Sequence, residues 1–117
     1  RNFRYYEARC VQGSSLSPAI HALVAARIGD LRLALRQLRQ AAGIDLDARI
    51  GDSSGGVHIG ALGGLWQAVC FGIGGLTLSG SSPALVPHLP AGWRELAFPI
   101  HWQGAVHSLS ARTPGPG

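Results

Sequence analysis

Residues 56–71, GVHIGALGGLWQAVCF, decide the fold of this chain. The stretch contains no Asp, Glu, Lys or Arg, and its apolar side chains cover most of a helix circumference. It therefore predicts a helix that is buried on every side. Gly60, Gly63 and Gly64 would each cost roughly 1 kcal/mol in an exposed helix. They are explained if another helix, or a ligand, packs very close to the backbone.

Two amphipathic helices are predicted before this stretch. The first begins near Ser15 or Ser17, either of which can cap it, and ends at Gly29 in the left-handed conformation. Asp30 caps the second helix, and Gly43 ends it. A connection of only about two residues predicts that the two helices pack antiparallel.

The remaining helical part is polar or irregular. Residues 1–13 predict an extended lead-in, and residues 43–56 predict a polar loop. Arg32, Arg36 and Arg39 form a stripe along the second helix, which predicts a face that points into solvent.

The sequence changes character after residue 75. Four short β-like runs separated by Pro- and Gly-rich turns predict antiparallel sheet: 76–78, 84–86, 95–100 and 105–110. Leu96, Phe98, Ile100 and Trp102 alternate with more polar positions, which predicts one buried face. Residues 113–117 predict a disordered tail.

Composition narrows the class of protein. The chain is 46% apolar and 14% charged, which argues against intrinsic disorder. Its net charge of +4 comes from ten scattered arginines without any lysine, a pattern that indicates codon bias and no nucleic-acid partner. Cys10 and Cys70 are isolated, so no metal site is expected. No apolar run is long enough for a bilayer, and a cytoplasmic location is expected.

Three groups of residues, taken in order, resemble the C-terminal part of glycoside hydrolase family 65. That family includes maltose, trehalose and kojibiose phosphorylases and related hydrolases. The residues are YYE at 5–7 with SSLSPAIHA at 14–22, AGIDLD at 42–47, and GVHI at 56–59 with GGLWQAV at 63–69 and FGIGG at 71–75.

This resemblance implies an α+β fragment. Residues 1–74 would supply the last helices of an (α/α)6 catalytic barrel, and residues 75–112 part of an antiparallel C-terminal β-sandwich. The parent would be an inverting α-glucoside phosphorylase that releases β-glucose 1-phosphate from an α-linked glucose disaccharide. Two alternatives stay open: a hydrolase of the same family, and a non-catalytic carbohydrate-binding remnant.

The resemblance also implies roles for individual residues. Ser14, Ser15 and His58 match the family's phosphate-binding positions. The serines alone could be helix caps, and His58 alone could be a core histidine bonded to a backbone carbonyl. The general acid Glu of the family has no counterpart here, so the fragment is expected to be inactive. Glu7 is a candidate base in a hydrolase, or a structural carboxylate paired with Arg4 or Arg9.

The resemblance implies three partners: the disaccharide, inorganic phosphate as co-substrate and the rest of the parent chain. It implies no other cofactor, and a homodimer of the full-length enzyme stays open.

The sequence departs from the family at positions where polar residues are usual. Those positions hold Cys10, Gln12-Gly13, Gly55 and Leu65. These changes leave phosphorolysis and hydrolysis unseparated.

Overall fold

A computed structural model describes residues 2–10, 13–47 and 55–115. These residues form α1 (Asn2–Glu7), α2 (Ser17–Arg27), α3 (Leu31–Leu46) and α4 (Ile59–Gln67), which continues as a π-helical turn, Ala68–Ile73. The strands β1 (Leu76–Thr77), β2 (Ala84–Leu85), β3 (Glu95–Trp102) and β4 (Ala105–Arg112) follow. This order confirms an α+β chain with antiparallel strands. Gln12, residues 48–54 of the predicted polar loop and residues 116–117 of the predicted tail lie outside the described residues.

The turn between α2 and α3 confirms the sequence prediction. Gly29 follows the last turn of α2 with φ +83°, the left-handed conformation that a residue without a Cβ adopts readily. The Asp30 side chain accepts a hydrogen bond from the Leu33 backbone N–H at 3.2 Å and so caps α3. Arg32, Arg36 and Arg39 are exposed, as predicted.

The predicted extended lead-in is wrong, because Asn2–Glu7 is helical. Side-chain contacts that the local pattern does not announce hold this helix. The Arg9 guanidinium lies 3.9 Å from the Tyr5 ring centroid and donates to the Tyr5 carbonyl at 3.0 Å. Phe3 meets the His21 ring edge to face, with 5.7 Å between centroids. The Arg9 contacts stabilise the end of α1, and the Phe3 contact packs α1 against α2.

Gly43 does not end α3, which runs on to Leu46. A glycine inside a helix costs only about 1 kcal/mol, so other interactions can override it. The Asp47 N–H donates to the Gly43 carbonyl at 2.9 Å. In addition, Asp45 in this last turn is held by His58, which stabilises the turn.

Helix α4 packs closely on α2, as predicted from Gly60 and Gly64, whereas the prediction is wrong for Gly63, where a Cβ would meet nothing within 4 Å. A Cβ on Gly64 would lie 3.0 Å from Ala19 Cβ, and one on Gly72 would lie 3.0 Å from Leu23 Cα. The close neighbour of these glycines is therefore a helix. The predicted helix 56–71 begins three residues later than expected and, with its π-helical turn, ends two residues later.

The prediction that this helix is buried all round is wrong for its first half. The side chains of Ile59 and Trp66 are 76% and 47% exposed, and Leu62 is also exposed. Helices α2 and α3 cover only one side of α4, so its other apolar side stays uncovered by the described residues. Burial is concentrated in the π-helical turn, where Cys70 and Ile73 are almost fully enclosed.

The strands form two antiparallel hairpins and not a single sheet. In the larger one, β3 and β4 pair from Glu95 opposite Arg112 to Trp102 opposite Ala105. Its turn residues Gln103 and Gly104 both have positive φ, as a type I′ turn requires. The predicted alternation is confirmed, since Leu96, Phe98, Ile100 and Trp102 are the less exposed positions of β3.

The hairpin extends slightly into the predicted tail. Thr113 donates its N–H to the Arg94 carbonyl at 3.0 Å and its hydroxyl to the Trp93 carbonyl at 2.6 Å.

Two hydrophobic clusters hold the helices and strands together. One lies between α2, α3 and Ile73, and the other brings Cys70 together with Leu76 and Ile100. Among the described residues, no helix has the length and apolar character needed to cross a bilayer.

Replacing Gly75 by Ala should destabilise the fold by more than about 3 kcal/mol, because the added methyl group would meet the Val86 carbonyl and the backbone has φ +60°. Gly80→Ala is the matched control. Its φ is +87° but the surrounding space is open, so only backbone strain of about 1–2 kcal/mol is expected. Urea unfolding of both variants measures the difference, and equal losses would contradict the steric argument.

Candidate functional site

Three helix ends meet at one place in the fold. Leu16, at the N-cap position of α2, approaches Gly60 in the first turn of α4, where a Cβ would lie 3.1 Å from Leu16 Cδ2. Asp45, in the last turn of α3, bonds to His58 at the N-cap of α4. Leu16 directly follows Ser15 and Gly60 lies two residues after His58, so the Leu16–Gly60 contact links the two stretches of chain in which the predicted site residues occur.

His58 is held by one carboxylate through two bonds. Its Nδ1 lies 2.8 Å from Asp45 Oδ1, and its backbone N–H donates to Asp45 Oδ2 at 2.9 Å. The Asp45 side chain is only 5% exposed, whereas that of His58 is 40% exposed. His58 is thus no enclosed core histidine bonded to a backbone carbonyl, which was the alternative left open by the sequence.

The same contact sets the protonation of Asp45. The hydrogen bond from the His58 side chain lowers the pKa of the Asp45 carboxyl below its ordinary value of 3.8, and the bond from the His58 backbone N–H acts in the same direction. Burial opposes both effects, because it disfavours the charged form. Asp45 is therefore a carboxylate at neutral pH.

The two serines do not cap α2, so the prediction of a cap at Ser15 or Ser17 is wrong. Leu16 is the N-cap residue, and its φ and ψ are −81° and −29°. Ser17 is the first residue of the helix. Ser14 Oγ accepts from the Leu16 N–H at 3.3 Å. Ser15 is half-buried, and its hydroxyl has no hydrogen-bond partner among the described residues. At the start of α2 the Ser17 N–H donates to the Ser14 carbonyl at 3.2 Å and Pro18 has no N–H, so Ala19 is the one first-turn donor without an acceptor among the described residues.

Glu7 lies elsewhere. It accepts a hydrogen bond from Gln37 Nε2 at 3.4 Å. Eight residues of α3 separate Gln37 from Asp45, which is about 12 Å along the helix axis. The predicted pairing of Glu7 with Arg4 or Arg9 is also wrong: Arg4 bonds to Asp30 at 3.3 Å, and Arg9 stacks on Tyr5.

Sequence reasoning missed the contribution of Asp45. The AGIDLD segment at 42–47 was part of the resemblance, but nothing local marks its first acid as a partner of a histidine thirteen residues later.

The residues that depart from the family pattern lie in different environments. Cys10, Gly13 and Gly55 are exposed, and Leu65 packs against the main hydrophobic cluster. No group of metal-binding side chains occurs in the described part of the chain.

A groove of about 510 Å³ runs beside the meeting point of the helices. It lies between α2 and α4, and Leu16, Ile20, Gly60, Gly63, Gly64, Trp66 and Gln67 line it. The glycines leave its floor open, and the Trp66 indole stands at its side in edge contact with Phe71, 5.9 Å between centroids.

Comparison with known protein families shows the class of protein to which the chain belongs. Residues 1–67 match the model of the glycosyl hydrolase family 65 central catalytic domain, a domain of carbohydrate-active enzymes. Since the match covers more than half of the chain, the chain belongs to glycosyl hydrolase family 65.

Individual relatives agree with this. The chain is 40% identical to a kojibiose phosphorylase of Halothermothrix orenii over 104 residues, which are 89% of the chain and 13% of that enzyme. It is 34% identical to an α,α-trehalose phosphorylase of Geobacillus stearothermophilus over 114 residues, 97% of the chain and 15% of that enzyme. The chain thus spans about one seventh of the length of these relatives.

A solved structure matches the fold as well. It is a putative kojibiose phosphorylase from the human microbiome, with a TM-score of 0.81 and 28% sequence identity. The match covers 94% of the chain and 16% of that protein.

Asp45→Asn should remove a pH-dependent part of the stability. Because the folded-state pKa of Asp45 is lowered, its contribution is complete above the ordinary value of 3.8 and is lost as the pH falls below it. The difference in unfolding free energy between wild type and Asp45→Asn should therefore be constant above about pH 5 and shrink towards pH 2.5. Denaturant unfolding at a series of pH values measures it.

Glu95→Gln is the control for this experiment. Glu95 pairs with Arg112 at 3.0 Å on the exposed hairpin, so its loss should cost at most about 1 kcal/mol. A wild-type to Asp45→Asn difference that does not change down to pH 2.5 would show that the Asp45–His58 bond does not stabilise the fold.

Proposed function

We propose that this chain is the phosphate-binding end of the catalytic domain of an inverting α-glucoside phosphorylase. Residues 1–74 would be the last helices of its (α/α)6 barrel, and residues 75–112 part of its C-terminal β-sandwich. Its substrates would be inorganic phosphate and an α-linked glucose disaccharide, and its product β-glucose 1-phosphate. The phosphorylase activity of the relatives supports this assignment.

One observation carries the proposal: the N-termini of α2 and α4 come together with Ser15 and His58 beside them. Each helix N-terminus presents the positive end of the helix dipole, which attracts an anion, and α4 adds the N–H groups of Gly60 and Ala61, for which the described residues offer no acceptor. The hydroxyl of Ser15, which has no partner among the described residues, and the partly exposed His58 ring add side-chain groups of the kind that bind phosphate oxygens. Ser14 would contribute its hydroxyl proton while its oxygen accepts from Leu16.

In the proposed reaction, a phosphate oxygen attacks the anomeric carbon while an acid protonates the leaving oxygen on the opposite face. The residues of this chain would hold and orient the phosphate. Neither of its two glutamates suits the acid, because Glu7 bonds to Gln37 and Glu95 lies on the exposed hairpin. The acid would be supplied by another part of the enzyme, so this chain alone should not cleave a disaccharide.

Phosphate binding by the chain can be measured directly. In a titration followed by ¹H–¹⁵N spectra, the amides of Ser15, His58 and Gly60 should shift with a Kd of roughly 1 mM, corresponding to about −4 kcal/mol. Ser15→Ala and His58→Asn should each weaken binding, while Ser110→Ala and His101→Asn on the hairpin should not. The proposal fails if these amides do not respond to 100 mM phosphate, or if the hairpin variants weaken binding equally.

Activity can be tested by exchanging the matching segment of the Halothermothrix orenii kojibiose phosphorylase for this chain. The chimera should cleave kojibiose only when phosphate is present. Ser15→Ala in the chimera should raise the KM for phosphate about tenfold, a loss of about 1.4 kcal/mol, and leave the KM for kojibiose unchanged. Cleavage that proceeds equally without phosphate would instead support the hydrolase alternative, and a folded but inactive chimera would contradict the proposal.

A further inference from the structure

Within the described part of the chain, both oxygens of the Asp45 carboxylate bond to the same residue, His58. One oxygen lies 2.8 Å from the His58 ring and the other accepts from the His58 backbone N–H at 2.9 Å. Bonds to both the main chain and the side chain of the same residue fix where the ring begins and which way it points. Because the Asp45 side chain is only 5% exposed, solvent has little access to it as a competitor for these bonds.

This arrangement decides which ring nitrogen remains available. A carboxylate can only accept, so the Nδ1 that faces it carries a proton. Nε2 is then the free nitrogen. It offers an N–H to a phosphate oxygen when the ring is protonated, and a lone pair to a P–OH group when the ring is neutral. In either state Nε2 is the atom left to meet the anion.

Asp45 also shapes the start of α4. By occupying the His58 N–H, it leaves those of Gly60 and Ala61, for which the described residues offer no acceptor. These N–H groups lie in the first turn, next to the contact between Gly60 and Leu16 that brings in the serine segment. The ring and the free backbone donors are therefore positioned by the same carboxylate.

We propose that Asp45 is a positioning residue for phosphate: it holds His58 as the Nδ1-protonated ring and directs Nε2 towards the anion. This inference rests on the proposed function, because it assumes that His58 contacts phosphate. It assigns Asp45 no contact with substrate.

The first test is a spectroscopic signature in the wild-type chain. Long-range ¹H–¹⁵N spectra of the imidazole should show Nδ1 of His58 protonated across the neutral pH range, with Nε2 shifting when phosphate is added. A neutral His58 ring protonated at Nε2 and bare at Nδ1 would overturn the inference. This measurement needs no variant and does not depend on the stability of one.

The second test compares Asp45→Asn with Asp30→Asn. Asn offers one acceptor oxygen and an NH2 donor where Asp offers two acceptors, so Asp45→Asn can hold both His58 groups only when Nδ1 has lost its proton. It should mix the two ring tautomers and weaken phosphate binding about tenfold, the lower end of the range known for residues that orient a metal-ligating histidine. Asp30 caps the other end of α3 and should leave both readouts at wild-type values.

The outcomes separate the two proposals. In one outcome, the wild type binds phosphate, and the folded Asp45→Asn variant shows the same binding and the same ring tautomer. This outcome would overturn the role of Asp45 and leave the proposed function standing. Absence of phosphate binding in the wild type would overturn both. Equal losses in Asp45→Asn and Asp30→Asn would show an effect on helix stability and would also overturn the positioning role.

Discussion

The close contact of α2 with α4 and its π-helical turn is the constraint on which the rest of the structure depends. At Gly64 and Gly72 the helices are so close that a Cβ would lie 3.0 Å from atoms of α2. Larger residues would push the helices apart, because packed interiors have no spare volume to absorb a methyl group. The same approach brings Leu16, the residue after Ser15, to Gly60, which lies two residues after His58.

The π-helical turn transmits this packing to the strands. Arg27, at the end of α2, donates from Nε to the Phe71 carbonyl at 3.1 Å and from Nη2 to the Leu76 carbonyl at 3.5 Å. Carbonyls at a helix end otherwise need water or a cap, and a guanidinium with several donors can satisfy two of them. Arg27 therefore joins α2, the π-helical turn and β1, and its charge has a structural use.

The sequence predicts those features whose cause is local. Gly29 and Asp30 are predicted correctly because each conformation follows from the chemistry of one or two residues. The extent of α3 beyond Gly43 was missed because it depends on a bond to His58, which is distant along the chain. The same holds for the candidate site: the serines and His58 were marked by their motifs, whereas Asp45 acquires its role only when α3 and α4 come together.

The electrostatics of the candidate site differ from those of the whole chain. The chain carries a net charge of +4, but Arg4, Arg27 and Arg112 are engaged with Asp30, with backbone carbonyls and with Glu95. At the site, a protonated His58 would be balanced by Asp45, which leaves helix dipoles, N–H groups and hydroxyls to bind an anion. If phosphate is the nucleophile, as proposed, this would be an advantage, because hydrogen bonds orient its oxygens without the strong field of an unpaired cation that would make them less reactive.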